Sequence, residues 1–368
     1  MDEGLDKWRS EIRALDSEII ARAARRMELA LKIGQYKADH QLPVKDFRVE
    51  KEIIERTRTM ADSMGLSPDF AEHLMTLIMG HSVREQNKLH QSKRSESASS
   101  LKNALVIGGL GRMGRWFSQY FQSIGFQVSI HDIKSEETPE TYSRHHDLNS
   151  DLNRYEVILL TTPMAATPAL LELLAKQSVK ALIIETSSLK TPVLSGLKAL
   201  KESGAKVASI HPMFGPDTDL LVDKNILICR GEGLSSEEAA ALYFHSTSAE
   251  LVMIDIDHHD QDMLSTLGLT HFINFLFGIS LCEQALPIDQ AKKRGGSTFF
   301  EQFETTRALF SENHELYFDI QALNPHSSEL YEKLRKVLDR LEQLIQTKDK
   351  KGFLNELKRA DAVLRKTL

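Results

Sequence analysis

The chain has 368 residues, 41% of them hydrophobic and 27% charged, with a formal net charge of −6. That length exceeds one ordinary core and implies two or three domains, and the acidic balance argues against wholesale nucleic-acid binding. Two cysteines without metal-ligand spacing (Cys229 and Cys282), a charged N-terminus and an apolar run, FINFLFGISLC, that stops at eleven residues imply a cytoplasmic protein without signal peptide, membrane segment or metal.

Residues 5–39 read as one long amphipathic helix. Leu5, Trp8, Ile12, Leu15 and Ile19 repeat at three-four spacing, the stripe meets Arg22 and Arg26, and it resumes at Leu29, Ile33 and Tyr36. A guanidinium cannot shed its charge, so seating one on such a face demands an anion. LPVKDF breaks this helix, and a second spans about 49–64 with Ile53, Ile54, Met60, Ala61 and Met64 inward. In GLSPDF, Gly65 can end one helix, Ser67 can cap the next, and Pro68 suits its first position. A third helix then runs to about residue 89, with Phe70, Leu74, Leu77, Ile78 and His81 at helical spacing. Three such helices bury poorly alone, which implies a dimer.

QSKRSESASSLK, residues 91–102, is polar and serine-rich and reads as a linker. Residues 103–255 alternate short β-rich runs (ALVIG, FQVSIHD, EVILLTT, ALIIET, KVASIH, NILICR, ELVMID) with helices, as a largely parallel sheet covered by helices does. Residues 256–368 are helical again. The middle of 257–283 is apolar on several faces and implies burial across a second dimer contact, and 327–368 gives two charged amphipathic helices. The expected fold is therefore multidomain: an all-α three-helix domain over 1–90, an α/β Rossmann-type domain over 103–255 and an all-α dimerisation domain over 256–368.

ALVIGGLGRMGRWF places a Gly-x-Gly-x-x-Gly between a β-run and a helix start. Gly109 would make the tight turn, Gly111 would let backbone approach a pyrophosphate, and Gly114 would let helix and strand pack closely, with Met113 a further cofactor-binding candidate. Asp132 follows Gly111 by 21 residues at the end of the second strand, where a carboxylate binds ribose hydroxyls and repels a 2′-phosphate, favouring NAD over NADP. Thr162 in TTPM is a candidate beside the nicotinamide half. ASIHPMFGPD sets His211 just past a strand end, its direction fixed by the following prolines, as a proton acceptor beside a nicotinamide requires. Ser188 and Lys190 in ETSSLK either reach the same crevice, or Ser188 caps the next helix and Lys190 is solvated. His258 and His259 adjoin a helix start and are expected on the surface. His271 is a core histidine or a pocket-lining donor, and Arg307, among phenylalanines, reads as a second partly buried arginine wanting an anion.

WRSEIRALDSEIIARAARRMELALKIGQYK, with VKDFRVEKE and HSVREQNK, resembles the all-helical chorismate mutase domain over about 1–90. VIGGLGRMG, SSLK, HPMFGPD and HDQ with THF resemble prephenate dehydrogenases over about 102–368, HPMFGPD most specifically. Together they resemble the bifunctional chorismate mutase–prephenate dehydrogenase family of tyrosine biosynthesis. The resemblance implies an intertwined mutase dimer in which Arg9 of the partner subunit and Arg26 clamp the carboxylates of chorismate. Lys37 and Gln86 would donate to its ether oxygen, Ser82 would share their helix face, and Asp46 and Glu50 would handle the substrate hydroxyl. For prephenate it implies NAD on the glycine loop, His211 accepting the 4-hydroxyl proton and Ser188 orienting it. Arg307 would bind a carboxylate, His271 and Lys190 would make secondary contacts, and tyrosine would be a feedback ligand. The chain departs from the pattern at Val49, where the family carries a third arginine, and at Arg22, where leucine is usual. Arg22 is a candidate replacement for the missing charge, against a degraded site or a buried pair with Glu50 or Glu18. Two other readings share the fold: an arogenate or other NAD(P)-linked dehydrogenase with an inactive mutase-like dimerisation domain, and an NAD-sensing regulatory dimer.

Overall fold

The computed structural model describes residues 3–40, 42, 46–90, 102–134, 137–139 and 141–367; the segment expected as linker, 91–102, lies outside the described residues but for Lys102. The chain divides into two compact units, one of residues 1–188 and 193–256, the other of 189–192 and 257–368.

The first unit begins with helices α1 (Glu3–Asp39), α2 (Phe47–Ser63) and α3 (Pro68–His90). Gly65 leaves α2 at φ 71°, and the Ser67 hydroxyl accepts from the Phe70 amide, so the stop-and-start chemistry of GLSPDF is realised. The apolar stripe of α1 finds no cover within the chain: Trp8 is 63% exposed, and Leu5, Ile12, Leu15 and Ile19 are exposed with it. The expected inner face of α2 is corrected. Met60 and Met64 are exposed, and the buried positions are Phe47, Glu50, Ile54 and Ala61, because the first turn of α2 packs on the sheet-bearing part of the unit. Likewise Phe70, Leu74, Leu77 and His81 of α3 are exposed.

Eight strands follow: β1 (Lys102–Ile107), β2 (Phe126–His131), β3 (Ser143–Arg144), β4 (Val157–Leu160), β5 (Leu182–Glu185), β6 (Val207–Pro212), β7 (Asn225–Arg230) and β8 (Glu250–Asp255). They form one sheet in the order β3-β2-β1-β4-β5-β6-β7-β8, parallel throughout except for the β6–β7 pair. Seven of these strands fall where the β-rich runs lie; β3 is an addition, two residues in a polar stretch. Helices α4 (Arg112–Ser123), α5 (Thr167–Ala175), α6 (Leu194–Glu202) and the short α7 (Ser236–Ala239) connect them. Both faces of the sheet are covered, which is why its strands read as near-continuous apolar runs. On one face Trp116, Phe117, Tyr120 and Phe121 of α4 pack with Val106, Ile130 and Leu159; on the other Leu171, Leu174, Leu197 and Leu200 pack with Leu105, Ile158 and Ile183. Each such side chain contributes about 1.5–3 kcal/mol on burial. Strand order reverses about β1, so the mouth between the β1 and β4 carboxyl ends is the natural ligand crevice.

The second unit is helical: α8 (Ile256–Met263) runs through a wide turn at 264–268 into α9 (Leu269–Glu283), followed by α10 (Ile288–Arg294), α11 (Ser297–Phe310), α12 (His314–Leu323), α13 (Ser327–Gln346) and α14 (Lys350–Leu364). The expectation that no segment reaches membrane-spanning length is corrected. The continuous run Ile256–Glu283, 28 residues, is long and apolar enough by length and composition alone, because the helix continues through the polar positions at which FINFLFGISLC stops.

Candidate active sites

Among the N-terminal helices, α1 and α3 approach closely at Gly34, where a Cβ would stand 2.6 Å from Gln86 Cγ. This contact, which periodicity did not reveal, lets the buried Gln86 donate to the Ala30 carbonyl at 2.9 Å. One turn earlier on α3 the buried Ser82 hydroxyl accepts from Arg26 Nη1 at 2.8 Å. The half-buried guanidinium of Arg26 is held by a neutral hydroxyl, and no carboxylate pairs with it among the described residues; desolvation lowers its pKa. Lys37, further along α1, is also half-buried, and burial lowers its pKa while the nearby Asp46 charge partly offsets this. Asp46 caps α2, accepting from the Arg48 and Val49 amides at 3.2 and 3.4 Å. Glu50 is nearly buried, and its Oε1 accepts from the Leu221 and Val222 amides at 2.6 and 3.2 Å and from Ser248 Oγ at 2.6 Å.

Arg22 and Glu18 are both exposed, so the buried pair considered for Arg22 is not formed between them. Arg9 is exposed beside Asp6. It stands 17 residues before Arg26 on the same helix, which is about 26 Å along the axis.

At the sheet mouth the backbone reversal falls on Gly108, at φ 82°, which corrects its assignment to Gly109. Gly109 instead lies against β2: a Cβ there would meet Ile130 Cγ2 at 2.4 Å. A Cβ at Gly114 would meet the Gly108 carbonyl at 2.1 Å, as close helix–strand packing requires, whereas one at Gly111 would meet only that carbonyl, at 3.1 Å. Gly111 is the N-cap of α4 and supplies no side chain, so the first-turn amides retain donors for an anion. Met113 packs against the core and presents only backbone to the loop. Asp132 directly follows β2; its carboxylate accepts from the Leu110 and Lys134 amides at 2.9 and 3.0 Å, which ties the acid to the glycine loop. These features fit a dinucleotide: an uncapped helix N-terminus, a glycine cradle and a half-exposed acid at the second strand end. Thr162 shares a hydrogen bond with Thr167 at 2.9 Å, at the start of α5.

The expected place of His211 just past a strand end is corrected: it is buried within β6, opposite Leu227 of the antiparallel β7, because pairing with β7 extends the strand through Pro212. Two residues back in β6, the Ser209 hydroxyl donates to Glu185, a fully buried carboxylate at the end of β5 that also accepts from the Ser187 amide at 2.8 Å. Glu185 was not singled out from the sequence; its only signal there is an acid closing an apolar run. Ser188 is half-buried, and α6, whose N-cap is Val193, has no side-chain cap, so Ser188 does not cap it.

In the second unit Asp260 organises the segment 189–192. It accepts from the Lys190 and Thr191 amides, each at 2.7 Å, and from His259 Nδ1 at 2.8 Å. Burial opposes ionisation of this carboxyl, but the hydrogen bonds from His259, Lys190 and Thr191 outweigh it and hold its pKa at about 2. His259 is fully buried, correcting its expected exposure, and Lys190 is fully buried rather than solvated. His271 is half-buried with its ring 4.6 Å from that of Tyr317; its Nδ1 is buried without a partner among the described residues, and burial lowers its pKa. Arg307 is corrected as well: it lies on the outer side of α11, 64% exposed and bound to Glu304 at 2.6 Å, because the phenylalanines of that helix occupy its other faces.

Residues 8–87 match the family model described as chorismate mutase type II. The T-protein of Haemophilus influenzae is 25% identical over 96% of this chain and 90% of its own length. The bifunctional chorismate mutase/prephenate dehydratase of Escherichia coli K12 is 35% identical over a shorter stretch, 33% of this chain and 32% of that protein. Among solved structures, the prephenate dehydrogenase of A. aeolicus in complex with hydroxyphenyl propionate and NAD+ is covered completely by 74% of this chain, with a TM-score of 0.58 at 17% identity, a likeness of fold. In domain order and over 96% of its length the chain is similar to the T-proteins, with residues 8–87 matching the chorismate mutase type II model and the remainder sharing the fold of prephenate dehydrogenases.

Proposed function

We propose that the chain rearranges chorismate to prephenate in its N-terminal domain and oxidatively decarboxylates prephenate to 4-hydroxyphenylpyruvate in the remainder. The observation that carries the first half is Arg26, a half-buried permanent cation held by a hydroxyl instead of a carboxylate. A dianionic substrate supplies the missing charge. Rearrangement of chorismate needs no nucleophile, so catalysis consists of fixing both carboxylates and stabilising negative charge on the ether oxygen. Arg26 fixes one carboxylate, Lys37 and Gln86 donate to the ether oxygen, Ser82 orients Arg26, and Asp46 sets the charge of Lys37. Arg9 of the partner subunit holds the second carboxylate. Its separation from Arg26 along one helix and the uncovered stripe from Leu5 to Ile19 support an intertwined dimer.

In the second half the glycine loop and Asp132 hold NAD+ in preference to NADP+, since a 2′-phosphate beside Asp132 meets like charge. When bound, the nicotinamide accepts the hydride from the carbinol carbon of prephenate. His211 takes the 4-hydroxyl proton, Ser188 orients that hydroxyl, and loss of CO2 leaves the aromatic ring. The test uses the two substrates separately. Chorismate alone should yield prephenate, and supplied prephenate with NAD+ should yield NADH and CO2 in equal amounts, with NADP+ at least tenfold less effective. NADH from arogenate in place of prephenate, or no prephenate from chorismate, would overturn the corresponding half.

A further inference from the structure

The connector between β6 and β7, residues 213–224, begins two residues after His211 and is pinned from two directions. Inside the dehydrogenase fold, Arg112 at the start of α4 pairs with Asp217, and Trp116 Nε1 donates to the Thr218 carbonyl at 2.9 Å. From the N-terminal helices, Glu50 takes the Leu221 and Val222 amides and also the Ser248 hydroxyl just before β8. Phe47, one turn earlier on α2, is 2% exposed and packs its ring 5.6 Å from Trp116, which in turn lies 4.9 Å from Phe214, three residues after His211. Lys51 Nζ donates to the His245 carbonyl at 3.1 Å, and Val222 and Leu220 pack with Ile54, Met79 and Met75 of α2 and α3. The first turns of α2 are thus seated in the dehydrogenase fold, and the connector that fixes the turn after His211 is built partly from the other domain. A carboxylate oxygen that accepts two backbone amides and a hydroxyl at a nearly buried position has been recruited to hold backbone.

We propose that Glu50 is a positioning residue of the dehydrogenase reaction, acting through the 213–224 connector on His211. This rests on the reading of His211 as the proton acceptor. Supplied prephenate bypasses the mutase, so the dehydrogenase of the full-length chain is assayed alone. In Glu50→Ala, kcat for prephenate oxidation should fall at least tenfold while KM for NAD+ stays within twofold. Glu50→Gln, which keeps an acceptor oxygen, should recover most of the loss. Ser248→Ala removes one of the three donors outside the N-terminal helices and should cost a few-fold in dehydrogenase kcat with chorismate rearrangement unchanged. Amide exchange of 213–224 should accelerate at least tenfold in Glu50→Ala, and this is read without any substrate. If Glu50→Ala misfolds, Ser248→Ala and Glu50→Gln carry the test through the same kcat and exchange measurements. Unchanged dehydrogenase kcat and connector exchange in the folded variants, with chorismate rearrangement abolished in Glu50→Ala, would return Glu50 to the mutase site. Accelerated connector exchange in Glu50→Ala, together with a wild-type chain that does not oxidise prephenate, would keep the latch and discard the assigned reaction.

Discussion

Asp260 receives the main-chain amide of Lys190 at 2.7 Å, joining two motifs 70 residues apart in sequence into one ionised clamp. Its folded pKa of about 2 lies below the ordinary 3.8, so this carboxylate contributes roughly 2 kcal/mol of stability. That contribution is fully present above pH 3.8 and is lost as pH falls through about 2. Asp260→Asn should lose about that much stability at neutral pH, because an amide nitrogen then faces a backbone N–H. Its unfolding free energy should also change less than wild type between those two pH values. Equal acid sensitivity of variant and wild type in denaturant titrations would show that Asp260 is not the clamp.

In the proposed mutase reaction Lys37 donates to the ether oxygen and so must carry its proton, while burial lowers its pKa against the opposing effect of Asp46. Mutase kcat/KM should therefore fall as pH rises through a value below the ordinary 10.5. Lys37→Arg should be slower at neutral pH by at least tenfold, and its residual rate should not show that alkaline fall, since guanidinium does not titrate there. A pH–rate profile with the same alkaline limb in the variant would assign it to another group.

Arg9 and Arg26 act on one substrate from different chains if the mutase site is shared. Arg9→Ala and Arg26→Ala should each reduce chorismate rearrangement at least a hundredfold. Mixing equal amounts under conditions that re-pair chains should restore roughly a quarter of wild-type activity, because half the pairs are mixed and each holds one intact site. No recovery on mixing, with exchange of chains verified by mass, would place Arg9 and Arg26 in the same site of one chain.

The local chemistry of this protein was legible and its long-range chemistry was not. Gly65, Ser67 and Pro68 define a helix stop and start through their own backbone preferences, and the β-rich runs declare a sheet buried on both faces. Residues whose partners are distant in sequence carry no local signal of the environment they enter. Glu50 reads from its motif alone as a mutase acid, and nothing in that motif signals that its carboxylate also accepts from the amide of Leu221, 171 residues on. Met60 and Met64 sit at inward spacing, yet α2 turns Phe47 and Glu50 into the fold because the sheet-bearing part, not another helix, receives its first turn. His259 and Arg307 exchanged their expected environments: a histidine beside an aspartate was drawn into a clamp, and an arginine among phenylalanines stayed outside with Glu304. Composition and spacing specify which face an element has, and only the packing determines what that face meets.

The central claim, two successive reactions in one chain with His211 serving the second, is tested most directly by chorismate, NAD+ and His211→Asn. Wild type should produce NADH from chorismate after a lag in which prephenate accumulates. His211→Asn should convert the same chorismate to prephenate at the wild-type rate, bind NAD+ with unchanged affinity, and produce NADH at least a thousandfold more slowly. NADH formation by His211→Asn at the wild-type rate, or no NADH from wild type with either chorismate or prephenate, would contradict the account.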